Sequence, residues 1–179
     1  MRSSMRLAAL LTVTLCAASV MPADALAADP ACAGFSWNVS RERALFAGTA
    51  TSLPAGADSG SAPPLTPGRL YALRLQPAAK VSFVTAPGKR TPIDGGYAGL
   101  AALRIPAPGI YRIAVNAPLW IDVVADGGLM SVKDFQGAHD CDAPRKILEF
   151  EFRVPRQVML QFSSATDGEV RIAITAAGP

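Results

Sequence analysis

Histidine is almost missing from this chain. His139 is the only one in 179 residues, and that scarcity excludes whole chemistries. A non-haem iron centre of the facial-triad type uses two imidazoles and a carboxylate, which one histidine cannot supply. A Ser-His-Asp triad holds its histidine between an acid and a nucleophile. No G-x-S-x-G is present here, and serines cluster in turn-like stretches such as DSGSAPP and FSSATDG. Charge imbalance is scarce too. The formal net charge is +3, and Lys and Arg are scattered instead of striped, so no nucleic-acid partner is expected. Beyond the first thirty residues the chain also lacks a helix-period pattern of useful length. It lacks there any apolar run near the roughly 20 residues that a spanning helix needs.

The first thirty residues are different. Arg2 and Arg6 make a basic head, LAALLTVTLCAASV is apolar and uncharged, and MPADALAADP brings Pro22 and an A-x-A pattern at 25–27. That order marks a secretory signal, and the apolar run is too short to cross a bilayer. Residues 1–27 are therefore expected to be a signal peptide, cut between Ala27 and Ala28, and the product to be periplasmic or secreted. Taking 27 from 179 residues leaves 152, within the usual range of one domain. The leader holds Arg2, Arg6 and Asp24, so the remainder keeps +2 of the +3.

Cysteine is nearly as sparse as histidine. Of three, Cys16 lies in the leader, leaving Cys32 and Cys141. Two cysteines in an exported domain are expected to pair, because the compartment is oxidising.

What the chain does have is alternation. In RLYALRL, Tyr71, Leu73 and Leu75 share one side; in AKVSFVT, Val81 and Phe83 do; in GIYRIAV, Tyr111, Ile113 and Val115 do, opposite Arg112. KILEFEFRV puts Leu148, Phe150, Phe152 and Val154 inward and Glu149, Glu151 and Arg153 outward. QVMLQF and EVRIAI repeat the design. A period of two is the signature of half-buried strands. Turn signals such as APGK, PAPG, ADGG and TDG separate them, and the expected fold is all-β: a single antiparallel sandwich or jelly roll of about eight or nine strands. Residues 69–179 form this sandwich, with 28–68 as an extended N-terminal segment packed on it in the same domain. SRERALF is expected to give one helical turn capped by Ser40. LRIPAPGIYRI and FRVPRQVMLQF echo each other and read as two similar hairpins, with Pro106 and Pro155 stopping edge pairing.

Three stretches could carry function. FQGAHDCDAPRK gathers His139, Cys141, Asp140 and Asp142, but a metal site wants several converging ligands. It reads as a polar, disulfide-pinned loop between strands; no metal or cofactor is expected, His139 being the one residue around which a metal site could be built. Glu149 and Glu151 could be paired carboxylates in the glycosidase manner, or a solvated ladder with Arg153. In PLWIDVVADGGL, Leu119, Ile121 and Val123 point inward if Trp120 and Asp122 project together from the other face. An outward Trp beside a carboxylate suits stacking and hydrogen bonding of a flat ligand, sugars included; the alternative is a Trp120 covered in the core. Phe35 and Trp37, in CAGFSWNVSRE, read as a plug at one end of the sandwich.

With CAGFSWNVSRERALFAG, YRIAVNAPLWIDVVADGG and KDFQGAHDCDAPRKILEF in view, the chain resembles a family of small exported proteobacterial proteins, some of them labelled homogentisate 1,2-dioxygenase. Enzymes of that name are larger cupins holding iron on two histidines and a carboxylate, a set that cannot be built here. The strand pattern is also similar to prepeptidase-type C-terminal sandwiches and carbohydrate-binding jelly rolls, which implies fold and not ligand. The leading expectation is a non-catalytic binding or accessory module for envelope glycan, another carbohydrate or a protein partner. An enzyme, metal-dependent through His139 or carboxylate-based, and a structural envelope protein are the alternatives.

Overall fold

The alternating segments form two stacked sheets in a computed structural model that describes residues 32, 34–89, 94–141 and 143–177. The leader, its cleavage point at Ala27 and Ala28, and Asp142 lie outside the described residues. The first sheet runs β1 (Thr51–Pro54), β3 (Leu70–Arg74), β12 (Glu169–Ala176), β6 (Gly109–Val115), β10 (Lys146–Phe152) and β9 (Asp134–Gly137). The second runs β2 (Pro64–Leu65), β5 (Tyr97–Ile105), β11 (Arg156–Ala165), β7 (Trp120–Ala125) and β8 (Gly128–Leu129), with β4 (Gln76–Pro77) also on β5. The inward sets meet as expected. Tyr71, Leu73, Ile113, Ile121, Phe150, Leu160, Phe162 and Ile172 belong to one buried cluster between the sheets.

Several details differ from the sequence reading. The sheets are mixed, because β1 joins β3 and β2 joins β5 in parallel. Twelve strand segments occur among the described residues, the excess coming from two-residue pieces at β2, β4 and β8. VSFVT makes no strand: after a short 3-10 turn at Ala78–Lys80 the chain runs on irregularly. Val154 is 54% exposed, since the chain has left β10 and is turning. Ser40 is the first residue of α1 (Ser40–Phe46), whose N-cap is Val39 without a side-chain bond. The Asn38 carboxamide oxygen instead receives the Ser40 N–H at 3.0 Å.

The two echoing segments are not hairpins. β5 and β6 lie in different sheets, as do β10 and β11, so each segment crosses from one sheet to the other at its proline. Proline lacks the N–H that would continue a ladder, and the strand after it takes a partner on the opposite side. The crossings lie side by side, Phe152 against Gly109 in one sheet and Arg156 against Ile105 in the other. The Tyr111 and Phe152 rings meet edge to face at 5.7 Å, and the Tyr111 hydroxyl donates to the Ala107 carbonyl at 3.1 Å.

Both outer faces are also covered. On the first sheet, α1 and residues 35–39 lie over Leu70, Ala114, Ile147 and Ala173. Phe35 and Trp37 therefore pack on the face of that sheet and not at an end. Arg112 sits 4.7 Å from the Trp37 ring centroid and donates to Glu149 at 2.8 Å. Glu149 is thus buried and paired, not part of a solvated ladder with the exposed Glu151 and Arg153. Glu42 of α1 is 1% exposed and accepts from Thr175. Cys32 and Cys141 form a disulfide enclosing a separation of 109 residues. In the chain-entropy picture such a loop contributes about 4–5 kcal/mol.

Candidate functional site

The outer face of the second sheet has a different cover. Residues 81–89 cross it as a strap, held by side chains that rise from the sheet. The Gln161 carboxamide, fully buried, accepts from the backbone of Val84 (2.7 Å) and Thr85 (3.2 Å) and donates to the Thr85 carbonyl at 3.1 Å. Asp122 takes the Gly88 N–H at 3.0 Å on one oxygen and the Trp120 indole N–H at 2.9 Å on the other. A Cβ at residue 88 would stand 3.0 Å from Asp122 Oδ1, so glycine lets the strap come this close.

That arrangement divides the pair singled out in the sequence. Leu119, Ile121 and Val123 do pack inward, and Trp120 does face out, 38% exposed. Asp122 is 8% exposed with both oxygens occupied. It orients the indole and anchors the strap, and does not offer itself to a ligand.

Trp120 opens onto a groove of about 670 Å³ at one end of the sandwich. Its other walls come from β9, from Ala138, His139 and Arg145, and from the start of β10: Phe135 (65% exposed), His139, Arg145 and Lys146, with Lys89 of the strap. Among the described residues no acidic side chain lines it. Lys146 donates to the Leu119 carbonyl at 2.6 Å and lies 6.0 Å from the Trp120 ring centroid. Burial, and secondarily the charge of Lys89, holds its pKa below the ordinary lysine value. The disulfide and Ala138 form a small buried cluster behind the His139 wall, and the backbone pairs Ala138 N–H with the Arg145 carbonyl at 2.9 Å. The wall is thus fixed covalently and by backbone bonds.

His139 is exposed, and its Nδ1 lies 3.4 Å from an Arg145 guanidinium nitrogen. Among the described residues no three His, Cys, Asp or Glu side chains gather as metal ligands, and no helix is long and apolar enough to cross a membrane. The groove residues missed by the sequence reading are Phe135, Lys89, Arg145 and Lys146. Each is ordinary in its own segment, and only the juxtaposition of the strap, β7, β9 and the 138–145 loop makes them a set.

The molecule is therefore an all-β sandwich with covered faces and one cationic, aromatic end groove. No family model matches the chain, and no curated protein matches it.

Proposed function

We propose that this protein is an exported, non-catalytic binding module whose end groove takes an anionic saccharide. The ring stacks on Trp120, with Phe135 beside it, and its acidic substituent lies among Lys89, Arg145 and Lys146. The observation that carries this reading is a groove with two exposed aromatic rings, three cationic side chains and an imidazole, and no acid among the described residues. Stacking surfaces with a few fixed polar groups suit saccharide rings, and unopposed cations favour an anion over a neutral sugar. The Asp122 bond to the indole holds the ring in place before a ligand arrives, which lowers the cost of ordering it on binding.

Calorimetric titration with an oligogalacturonate and with its neutral counterpart tests the reading. The acidic sugar is expected to bind at least tenfold more tightly, with affinity falling as salt rises. Trp120→Ala is expected to abolish binding while lowering stability by no more than about 1 kcal/mol, because the ring is a surface group. Equal binding of both sugars, or none of the acid, overturns the anion assignment.

Export is supported by the basic head, apolar run and A-x-A pattern, and a disulfide is compatible with an oxidising compartment. N-terminal sequencing of exported material is expected to begin at Ala28. Full-length protein recovered from membranes would overturn this.

A further inference from the structure

Next to the groove, beneath the strap, lies a second cavity of about 350 Å³. Its lining is mostly apolar: Phe83, Pro87, Tyr97 and Ala98 face it, with Lys89 and the consecutive Ser163 and Ser164 as its polar members. Two consecutive residues of a regular strand point to opposite faces, yet both serines line this space. A break in register between Phe162 and Ala165 on β11 allows it, with Ser164 at φ 53°. Bulges re-aim side chains in this way and gather near functional sites. Ser163 is 7% exposed, and its hydroxyl has no hydrogen-bond partner among the described residues. Leaving a buried hydroxyl unpaired is costly, so such a group asks for an explanation. It stands opposite Trp120 in the neighbouring strand, and Lys89 and Ser164 line the cavity and the groove alike.

We infer that the cavity is a second compartment of the same site, holding the alkyl chain of an anionic amphiphile whose charged sugar ring occupies the groove. This rests on the anion reading of the groove. A dry apolar cavity of about 150 Å³ accepts benzene, so this one accommodates a chain of roughly a dozen carbons on the same scale. The unpaired Ser163 hydroxyl donates to the oxygen that joins chain to ring. Lys89, at the boundary, carries its charge toward the ring and lays its methylenes along the chain.

Three probes below their micellar concentrations separate the parts: glucuronate (ring and charge), octyl glucoside (ring and chain), and octyl glucuronide (all three). Octyl glucuronide is expected to bind at least tenfold more tightly than glucuronate, and to move the amide resonance of Ala98, which glucuronate leaves in place. Ala98→Leu, which fills the cavity, is expected to erase the gain from the chain and leave glucuronate binding unchanged. Ser163→Ala removes the hydroxyl without adding bulk, so it guards against a variant that fails to fold. It is expected to weaken octyl glucuronide and glucuronate alike by several-fold, because both carry the anomeric oxygen, and to keep the gain from the chain. Equal affinities for glucuronate and octyl glucuronide overturn the cavity assignment and leave the groove reading standing. Binding of octyl glucoside without any binding of either uronate overturns the groove reading, and the joint site with it.

Discussion

The two outer faces of the sandwich are closed by unlike means. Over the first sheet a helix and a short aromatic segment pack onto Leu70, Ala114, Ile147 and Ala173, and the polar groups beneath pair mostly with one another: Arg112 with Glu149, and Thr175 with one oxygen of Glu42, whose other oxygen has no hydrogen-bond partner among the described residues. Over the second sheet an irregular strap is hung from Gln161 and Asp122 by side-chain to backbone bonds. The helix seals its face with side chains on one stripe. The strap, which alternates half-buried and exposed residues from Val81 to Gly88 without joining a ladder, leaves a cavity beneath it and a groove beside it. Rigid packing and open chemistry are thus segregated to opposite sides of one core, as expected when sites are built on loops carried by a scaffold.

The largest effect should come from the sealed face. Arg112→Ala leaves Glu149 and Glu42 buried without their cation, and breaking such a pair from one side costs about 3 kcal/mol. Chemical denaturation should show a lowered midpoint with an unchanged slope. Anion binding in the groove should survive in the remaining folded protein. A loss below about 0.5 kcal/mol, typical of a surface site, would mean that the two covers do not differ as described.

A smaller loss is expected on the strapped face. Gln161→Ala removes three bonds to the strap and unpairs two backbone N–H groups, worth about 1–3 kcal/mol together. Hydrogen exchange should accelerate at Val84 and Thr85, because the strap lifts locally while the core holds. Acceleration spread over β5 and β11 would instead make the strap part of the core.

The smallest effect is a titration. A lysine whose folded pKa lies below its unfolded value is charged at low pH and loses that charge as pH rises through the lowered value. The lowering of the Lys146 pKa by burial therefore predicts anion binding that weakens with rising pH before the ordinary lysine range near about 10.4. Folded-state stability moves the other way, since deprotonation relieves the cost of burying the charge. Lys146→Met should flatten that portion of the binding profile. An unchanged profile in that variant would assign the titration to another group.

Much of this architecture was legible as alternation, because a period of two marks the inward residues of strands such as KILEFEF without reference to their neighbours. The same pattern is silent about what lies on the other side. Glu149, Gln161 and Asp122 each fall on the phase opposite to the core, and covers from distant segments bury them there. Phase was also silent about partners: the residues after Pro106 and Pro155 alternate equally well whether the chain folds back on its own sheet or crosses to the other. Trp120 was legible from its phase. Its companions Lys89, Phe135, Arg145 and Lys146 were not, since nothing local distinguishes them from other surface residues.

One placement has a bearing on the order of assembly. β12 lies in the interior of the first sheet, between β3 and β6, although it is the last strand of the described chain. Without it, β1 and β3 have no edge to join, and β6, β10 and β9 remain a separate ribbon. The crossings at Pro106 and Pro155 bind that ribbon to the second sheet, so neither half can mature alone. A chain emerging from its N-terminus therefore carries its pieces in suspense until residues 169–176 arrive. The keystone is delivered after every strand it joins, and a chain that has not reached it has no finished first sheet to trap it.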